Sequence, residues 1–191
     1  APALPDTTGW AQATAGEHEP AVEQVDFSHP LWVLFSSGTT GKPKGIVHGH
    51  GGVLLEHLKQ MILHCDLRAG DVFFWFTSPS WMMWNYQVAG LLVGSTIVTY
   101  DGSPTRPGPD GLWELAARVG AKLLGTSPGY LAVCEKAEVT PGTDHDLSGL
   151  LSLGVTGSVL PAAAHPWVRR NIGPQVAINA ISGGTDVVSA F

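Results

Sequence analysis

Short apolar runs alternate with helix-period stretches along most of this chain, and that alternation restricts the fold more than any other feature. The runs Leu31 to Ser36, Asp71 to Phe76, Ser95 to Tyr100, Ala121 to Leu124, Leu150 to Val155 and Val176 to Ile181 read as strands. Between them, Gly49 to Leu67, Met83 to Val93, Leu112 to Val119, Gly129 to Glu138 and Ala162 to Arg170 read as helices. In the first of these, Val53, Leu54, Leu58, Met61, Ile62 and Cys65 recur at three and four, the spacing of one helical face. Ser127-Pro128 supplies a start signal for the Gly129 helix. Strands that are apolar almost throughout are covered on both faces, so the expected class is α/β: repeated βα units forming a mostly parallel sheet flanked by helices. The first strand, Leu31 to Ser36, is expected to be buried like the others. Residues 1–30, rich in Pro, Ala, Thr and Glu, read as an extended surface segment before a domain over 31–191.

Charged residues make up 14% of the 191, a low share for a freestanding domain, while hydrophobic residues make up 44%. Part of the surface is therefore expected to be covered by more protein, and the remainder of a longer chain is the expected cover. A net charge of -6 with no basic stripe excludes nucleic-acid binding through a cationic face. No apolar run reaches the roughly 20 residues of a membrane span, and the start Ala1-Pro2-Ala3-Leu4-Pro5 carries no basic region and apolar core of a secretory signal. Cys65 and Cys134 have neither metal-ligand spacing nor a disulfide pattern and read as free thiols in a reducing, cytoplasmic setting.

The segment after the first strand carries the chemistry. In Ser36-Ser37-Gly38-Thr39-Thr40-Gly41-Lys42-Pro43-Lys44-Gly45, glycines let the backbone approach a ligand, four hydroxyls can donate to phosphate oxygens, and Lys42 and Lys44 add positive charge. Such a loop is a polyphosphate cradle. It is not a Walker A loop, because Gly38 and Gly41 are too close and Lys42 is followed by Pro43. Gly-x-Gly-x-x-Gly is also missing. A solvated linker is the bland alternative, and a linker does not usually join a strand to an amphipathic helix.

Other constellations carry less. His50, His57 and His64 recur every seven residues, which on a helix spaces them about 10 Å apart, too far for one metal. His57 and His64 read as surface or packing residues, whereas His48 and His50, just behind the cradle, could reach a substrate. Gly-x-Ser-x-Gly does not occur, so no hydrolase elbow is present.

The run Ser37 to Gly45 resembles the phosphate-binding signature of the adenylate-forming enzymes, the family of acyl-CoA synthetases, luciferases and peptide-synthetase adenylation domains. Ser182-Gly183-Gly184-Thr185-Asp186 resembles that family's aromatic-Gly-x-Thr-Glu motif, and Thr156-Gly157-Ser158-Val159-Leu160 its adenine-pocket segment. The resemblance covers roughly residues 30–191. It implies ATP, Mg²⁺ and coenzyme A as cofactor and co-substrates. Gly157, Ser158, Val159, Gly183 and Gly184 would line the nucleotide site, Thr185 would bond the α-phosphate, and Asp186 would help hold the metal. Two positions depart: Ser182 replaces an aromatic ring, and Asp186 is one methylene shorter than Glu.

Within the family, Gly-Gly-Thr-Asp together with Trp81-Met82-Met83-Trp84-Asn85 is most similar to the members that activate acetoacetate. Trp81, Met83, Trp84, Asn85 and Gly183 are then the candidate acyl-pocket residues, glycine at 183 leaving room where acetate-specific relatives carry Trp. Core packing is an equal alternative for the Trp/Met run. The implied reaction is acid plus MgATP to acyl-AMP and diphosphate, then thiol attack by coenzyme A. The family's Tyr-x-Thr-Gly-Asp motif and C-terminal catalytic lysine have no match here. Two alternatives stay open: a non-catalytic nucleotide-binding or assembly unit, and an adenylation domain that loads a carrier protein.

Overall fold

The computed structural model describes residues 7–17, 19–36 and 41–190. A single turn, α1 (Trp10–Ala13), precedes an antiparallel hairpin of β1 (Pro30–Ser36) and β2 (Lys44–Gly49). α2 (His50–Lys59) follows and ends in a π-helical turn, Gln60–His64. Then come β3 (Val72–Trp75), α3 (Met82–Val88) with a 3₁₀ turn at Ala89–Val93, β4 (Thr96–Val98), α4 (Gly111–Val119), β5 (Leu123–Thr126) and α5 (Pro128–Lys136). The chain continues through α6 (Pro141–Asp144), β6 (Ser152–Val155), α7 (Ala164–Asn171) and β7 (Ala177–Ala180) to a small antiparallel pair, β8 (Gly183–Gly184) and β9 (Ser189–Ala190).

Five strands form one parallel sheet in the order β4-β3-β5-β6-β7. Successive residues of β3 face opposite sides, as pleating requires. Phe74 packs with Leu112, Trp113, Leu131 and Trp167 from α4, α5 and α7, while Phe73 and Trp75 pack with Met61, Tyr86 and Ala89 from the other face. The central strands are nearly continuous in apolar residues because both faces are covered, as expected from the sequence. The order reverses between β3 and β5, so the crevice beyond their carboxyl ends is the topological switch point, where open α/β sheets bind ligands. Ser127 caps α5 by accepting the Tyr130 N–H at 3.2 Å, with Pro128 in the first turn. Buried Gln87 ties the diverging ends of β3 and β4: its Oε1 accepts the Trp75 N–H at 2.6 Å and its Nε2 donates to the Val98 carbonyl at 2.8 Å.

One expectation is corrected. Leu31 to Ser36 is a strand, but it is not a buried member of the parallel sheet. It pairs with β2, and its Val33 and Phe35 side chains, like Val47 of β2, stand in solvent. The cradle therefore joins the two strands of a hairpin rather than a strand to a helix. Cys65 and Cys134 are free thiols, both pushed above the usual thiol range by burial. No described helix is long and apolar enough to cross a membrane.

Candidate active site

The sheet's carboxyl edge builds a cavity of about 570 Å³, within the range of small-molecule sites. Its walls come from the residues that follow four strands: Phe76 and Thr77 after β3, Thr126 and Ser127 at the end of β5, Thr156, Gly157 and Ser158 after β6, and Ile181 after β7. The β8–β9 pair contributes Gly183, Gly184, Thr185, Ser189 and Ala190, and the start of α3 contributes Trp81, Met82 and Met83. Two of the three motifs thus share one concave surface with three of the five residues of the Trp/Met run.

The cavity has an apolar floor. The Trp75 indole lies flat over two glycines of neighbouring strands. A Cβ at Gly154 would sit 2.5 Å from its Cζ3, and one at Gly125 would sit 1.9 Å from its Cδ2. Register brings these residues side by side, since Trp75 pairs with Gly125 and Gly125 with Gly154. Gly157 has φ +96°, a left-handed conformation that L side chains resist, so the chain turns there over the cavity mouth. Thr126 is 3% exposed, and its Oγ1 has no hydrogen-bond partner among the described residues. A buried hydroxyl without a partner costs about 1–3 kcal/mol, so this wall has a polar group to satisfy.

The remaining candidates are spread around this cavity. Ser37, Gly38, Thr39 and Thr40 lie outside the described residues. Ser36 ends β1 and pairs with Lys44, the first residue of β2, while Gly41, Lys42 and Lys44 are exposed at the mouth of the hairpin. Asp186 is exposed in the turn between β8 and β9, and Val159 stands almost fully in solvent beside the adenine-type segment. Trp84 lines not this cavity but an adjoining one of 450 Å³, with Gln87, Tyr100 and Asp101, which shares Trp75, Phe76 and Thr77 with the first. Asn85 is half-buried on α3 and lines neither. No group of three His, Cys, Asp or Glu side chains that could hold a metal occurs among the described residues.

Gly183 does not face the acyl space through its side-chain position. A Cβ there would overlap the Ser189 carbonyl oxygen and lie 2.9 Å from the Ala190 Cα, so glycine is demanded by the close approach of β9. Gly183 still lines the cavity with its main chain, and the space left by its missing side chain lies toward β9.

Sequence reasoning missed Trp75, Thr77, Thr126 and Ser127 as cavity residues. The available signal was positional: each ends or follows a predicted parallel strand, where ligands collect. His48 and His50, which from their place behind the cradle could reach a substrate, hold main-chain carbonyls: His48 Nε2 meets the Asp186 carbonyl at 3.0 Å and His50 Nδ1 meets the His29 carbonyl at 2.9 Å. His57, read as a surface or packing residue, is fully buried. Its Nε2 meets the Val188 carbonyl at 3.0 Å, and burial holds its pKa below the usual histidine value.

Comparison with known proteins agrees with this architecture. The family model described as AMP-binding enzyme matches residues 2–185. The chain is 48% identical over 169 residues to an acetoacetyl-coenzyme A synthetase of Rhizobium meliloti, covering 88% of this chain and 26% of that protein. It is 45% identical over 169 residues to the acetoacetyl-CoA synthetase of Mus musculus, with 88% and 25% covered. The solved structure of an acetoacetyl-CoA synthetase from Streptomyces lividans superposes with a TM-score of 0.92 at 52% identity, over all of this chain and 30% of that one. The chain thus spans about a quarter of the length of the curated relatives it matches.

Proposed function

Because the chain belongs to the AMP-binding enzyme family, we propose that the full-length protein activates acetoacetate with MgATP and transfers the acetoacetyl group to coenzyme A. The observation that carries this reading is the shared cavity. Thr156, Gly157 and Ser158, the turn Gly183-Gly184-Thr185, and the apolar side chains Trp75, Trp81 and Met83 all line it. A nucleotide and a short acid can meet there.

In the first half-reaction a carboxylate oxygen attacks the α-phosphorus, the bond to the bridging oxygen breaks, and diphosphate leaves. The protein's contribution is positioning and charge neutralisation. Thr185 donates to an α-phosphate oxygen, and Lys42 and Lys44 pair with the leaving phosphates. Mg²⁺ is held mostly by substrate phosphates in such sites, so a single carboxylate, Asp186, suits it; the ion supplies neutralisation of phosphate charge. In the second half-reaction the thiol of coenzyme A attacks the acyl carbon and AMP leaves. The exposed apolar strip of Val33, Phe35 and Val47 is where the rest of the longer chain packs.

Lys44→Ala in the full-length protein is expected to raise the KM for MgATP about tenfold, the worth of one charge-assisted hydrogen bond. The melting temperature should stay put, because this lysine is exposed. Acid-dependent exchange of labelled diphosphate into ATP measures it, and an unchanged KM would remove Lys44 from the phosphate site.

Acetoacetate differs from butyrate by one keto oxygen, and the Thr126 hydroxyl, buried just behind the cavity wall without a partner among the described residues, is the donor that reads it where the wall opens to the bound acid. Thr126→Val keeps the shape and deletes the donor. It should lower the acetoacetate-to-butyrate ratio of kcat/KM by about five- to thirtyfold, the equivalent of 1–2 kcal/mol. An unmoved ratio would assign keto recognition to another group.

A further inference from the structure

Thr185 and Asp186 sit in a tight turn, closed where the Val188 N–H donates to the Gly184 carbonyl at 3.1 Å. Val188 leaves that turn with φ +53°. A β-branched residue in the left-handed region costs about 1–3 kcal/mol and persists only where its surroundings over-determine it.

Three donors supply that determination, and all come from one continuous stretch of chain. His48 of β2 reaches the carbonyl of Asp186 at 3.0 Å, buried His57 of α2 reaches that of Val188 at 3.0 Å, and buried Gln60 reaches that of Ala190 at 2.6 Å. The acceptors are alternate residues, two in the turn and one in β9, so the three side chains hold the turn and the strand that leaves it. Each tautomer is fixed. The Trp32 indole N–H donates to His48 Nδ1 at 3.3 Å, which leaves His48 Nε2–H to donate. A carbonyl faces His57 Nε2, so that nitrogen carries its proton too. His57 and Gln60 are three residues apart and so share a helix face. Gln60 opens the π-helical turn and also donates to Ser189 Oγ at 3.0 Å.

We propose that His48, His57 and Gln60 are positioning residues that lock the Thr185–Asp186 turn to the Lys42–Lys44 hairpin, so that the two phosphate-handling segments move as one body. His48 lies four residues beyond Lys44 on the same strand and holds the carbonyl of Asp186 itself, which makes the linkage direct. This inference rests on the adenylation reading above. It adds residues that contact no reacting atom.

The test uses the full-length protein and pairs His57→Leu, which removes the donor, with His57→Gln, whose amide N–H sits near the place of Nε2. Diphosphate exchange and amide hydrogen exchange of residues 184–190 are both read. His57→Leu should lower kcat by ten- to a hundredfold, the scale of a small misplacement of catalytic groups, with the KM for the acid little changed, and should speed amide exchange in that segment. His57→Gln should recover most of both. Equal losses in the two variants, or a loss carried by KM alone, would overturn the proposal. If His57→Leu does not fold, Gln60→Glu, isosteric and without the donor, gives the same reading against the same expectation. If the unaltered protein shows no acid-dependent exchange, the adenylation reading fails. The amide exchange of 184–190 then still decides the lock: equal protection in the Leu and Gln variants would refute it.

Discussion

Trp75→Ala is expected to remove about 3–5 kcal/mol of local stability, the usual cost of emptying a buried tryptophan site. The indole is 3% exposed and stacks edge-on against Tyr86 at 5.4 Å and Phe73 at 6.3 Å. Its broad face covers Gly125 and Gly154, which have no side chains to collapse into the space left behind. The void would open into the 570 Å³ cavity and dissolve its apolar floor, so acid activation should fall with stability. Hydrogen exchange of β5 and β6 amides in the full-length protein reads the local opening energy. A coupling experiment sharpens the cause. Gly154→Ala should destabilise the unaltered protein, because the new methyl meets the indole, yet be nearly neutral once Trp75 is alanine. Additive effects in the double variant would mean that the indole and Gly154 do not share this contact.

The same residues explain what could be read from the sequence. Phe73 and Phe74 are adjacent and both fully buried, which is possible only in a strand covered on both faces, so the apolar run at 71–76 identified a central strand. Ser127-Pro128 announced a helix through its own local chemistry, and the Ser127 cap is that chemistry in place. The hairpin was different. Leu31 to Phe35 is as apolar as β3, and an apolar run does not say which face is wet. Its partner β2, Lys44-Gly45-Ile46-Val47-His48-Gly49, is punctuated by glycines and follows a proline, so it read as part of the loop. With β2 unseen, His48 had no face and could only be assigned by its nearness to the lysines. The seven-residue histidine spacing was equally uninformative, because the acceptors of His48, His57 and Gln60 are main-chain carbonyls more than 120 residues away, and carbonyls leave no mark in a sequence. Trp81 and Trp84 illustrate the same limit on a shorter scale. They are three residues apart across the start of α3, yet they line different cavities.

Gly183→Ala is expected to lower kcat/KM for acetoacetate and for acetate together, by about ten- to a hundredfold, leaving their ratio nearly unchanged. Family resemblance alone implies the opposite: glycine at 183 leaves room for the longer acid, and a tryptophan turns preference toward acetate. The direction of the missing Cβ decides between the two. It points at β9, overlapping the Ser189 carbonyl oxygen and crowding Ala190 at 2.9 Å from both Cα and Cβ. Main-chain atoms cannot swing aside as a lysine tip can, so one methyl must push the β8–β9 pair apart. Overpacking of this kind typically costs 1–3 kcal/mol, the source of the tenfold to hundredfold figure. The damage lands on Thr185 and Asp186, which lie in the turn that this pair closes. Those groups serve the phosphate and not the acid, so both acids pay alike. A larger side chain at 183 should do the same and more. The ratio of kcat/KM for the two acids is therefore the informative quantity. A shift toward acetate in Gly183→Trp would mean that β8 and β9 had separated enough for the indole to turn into the cavity, and the volume argument would return in that form.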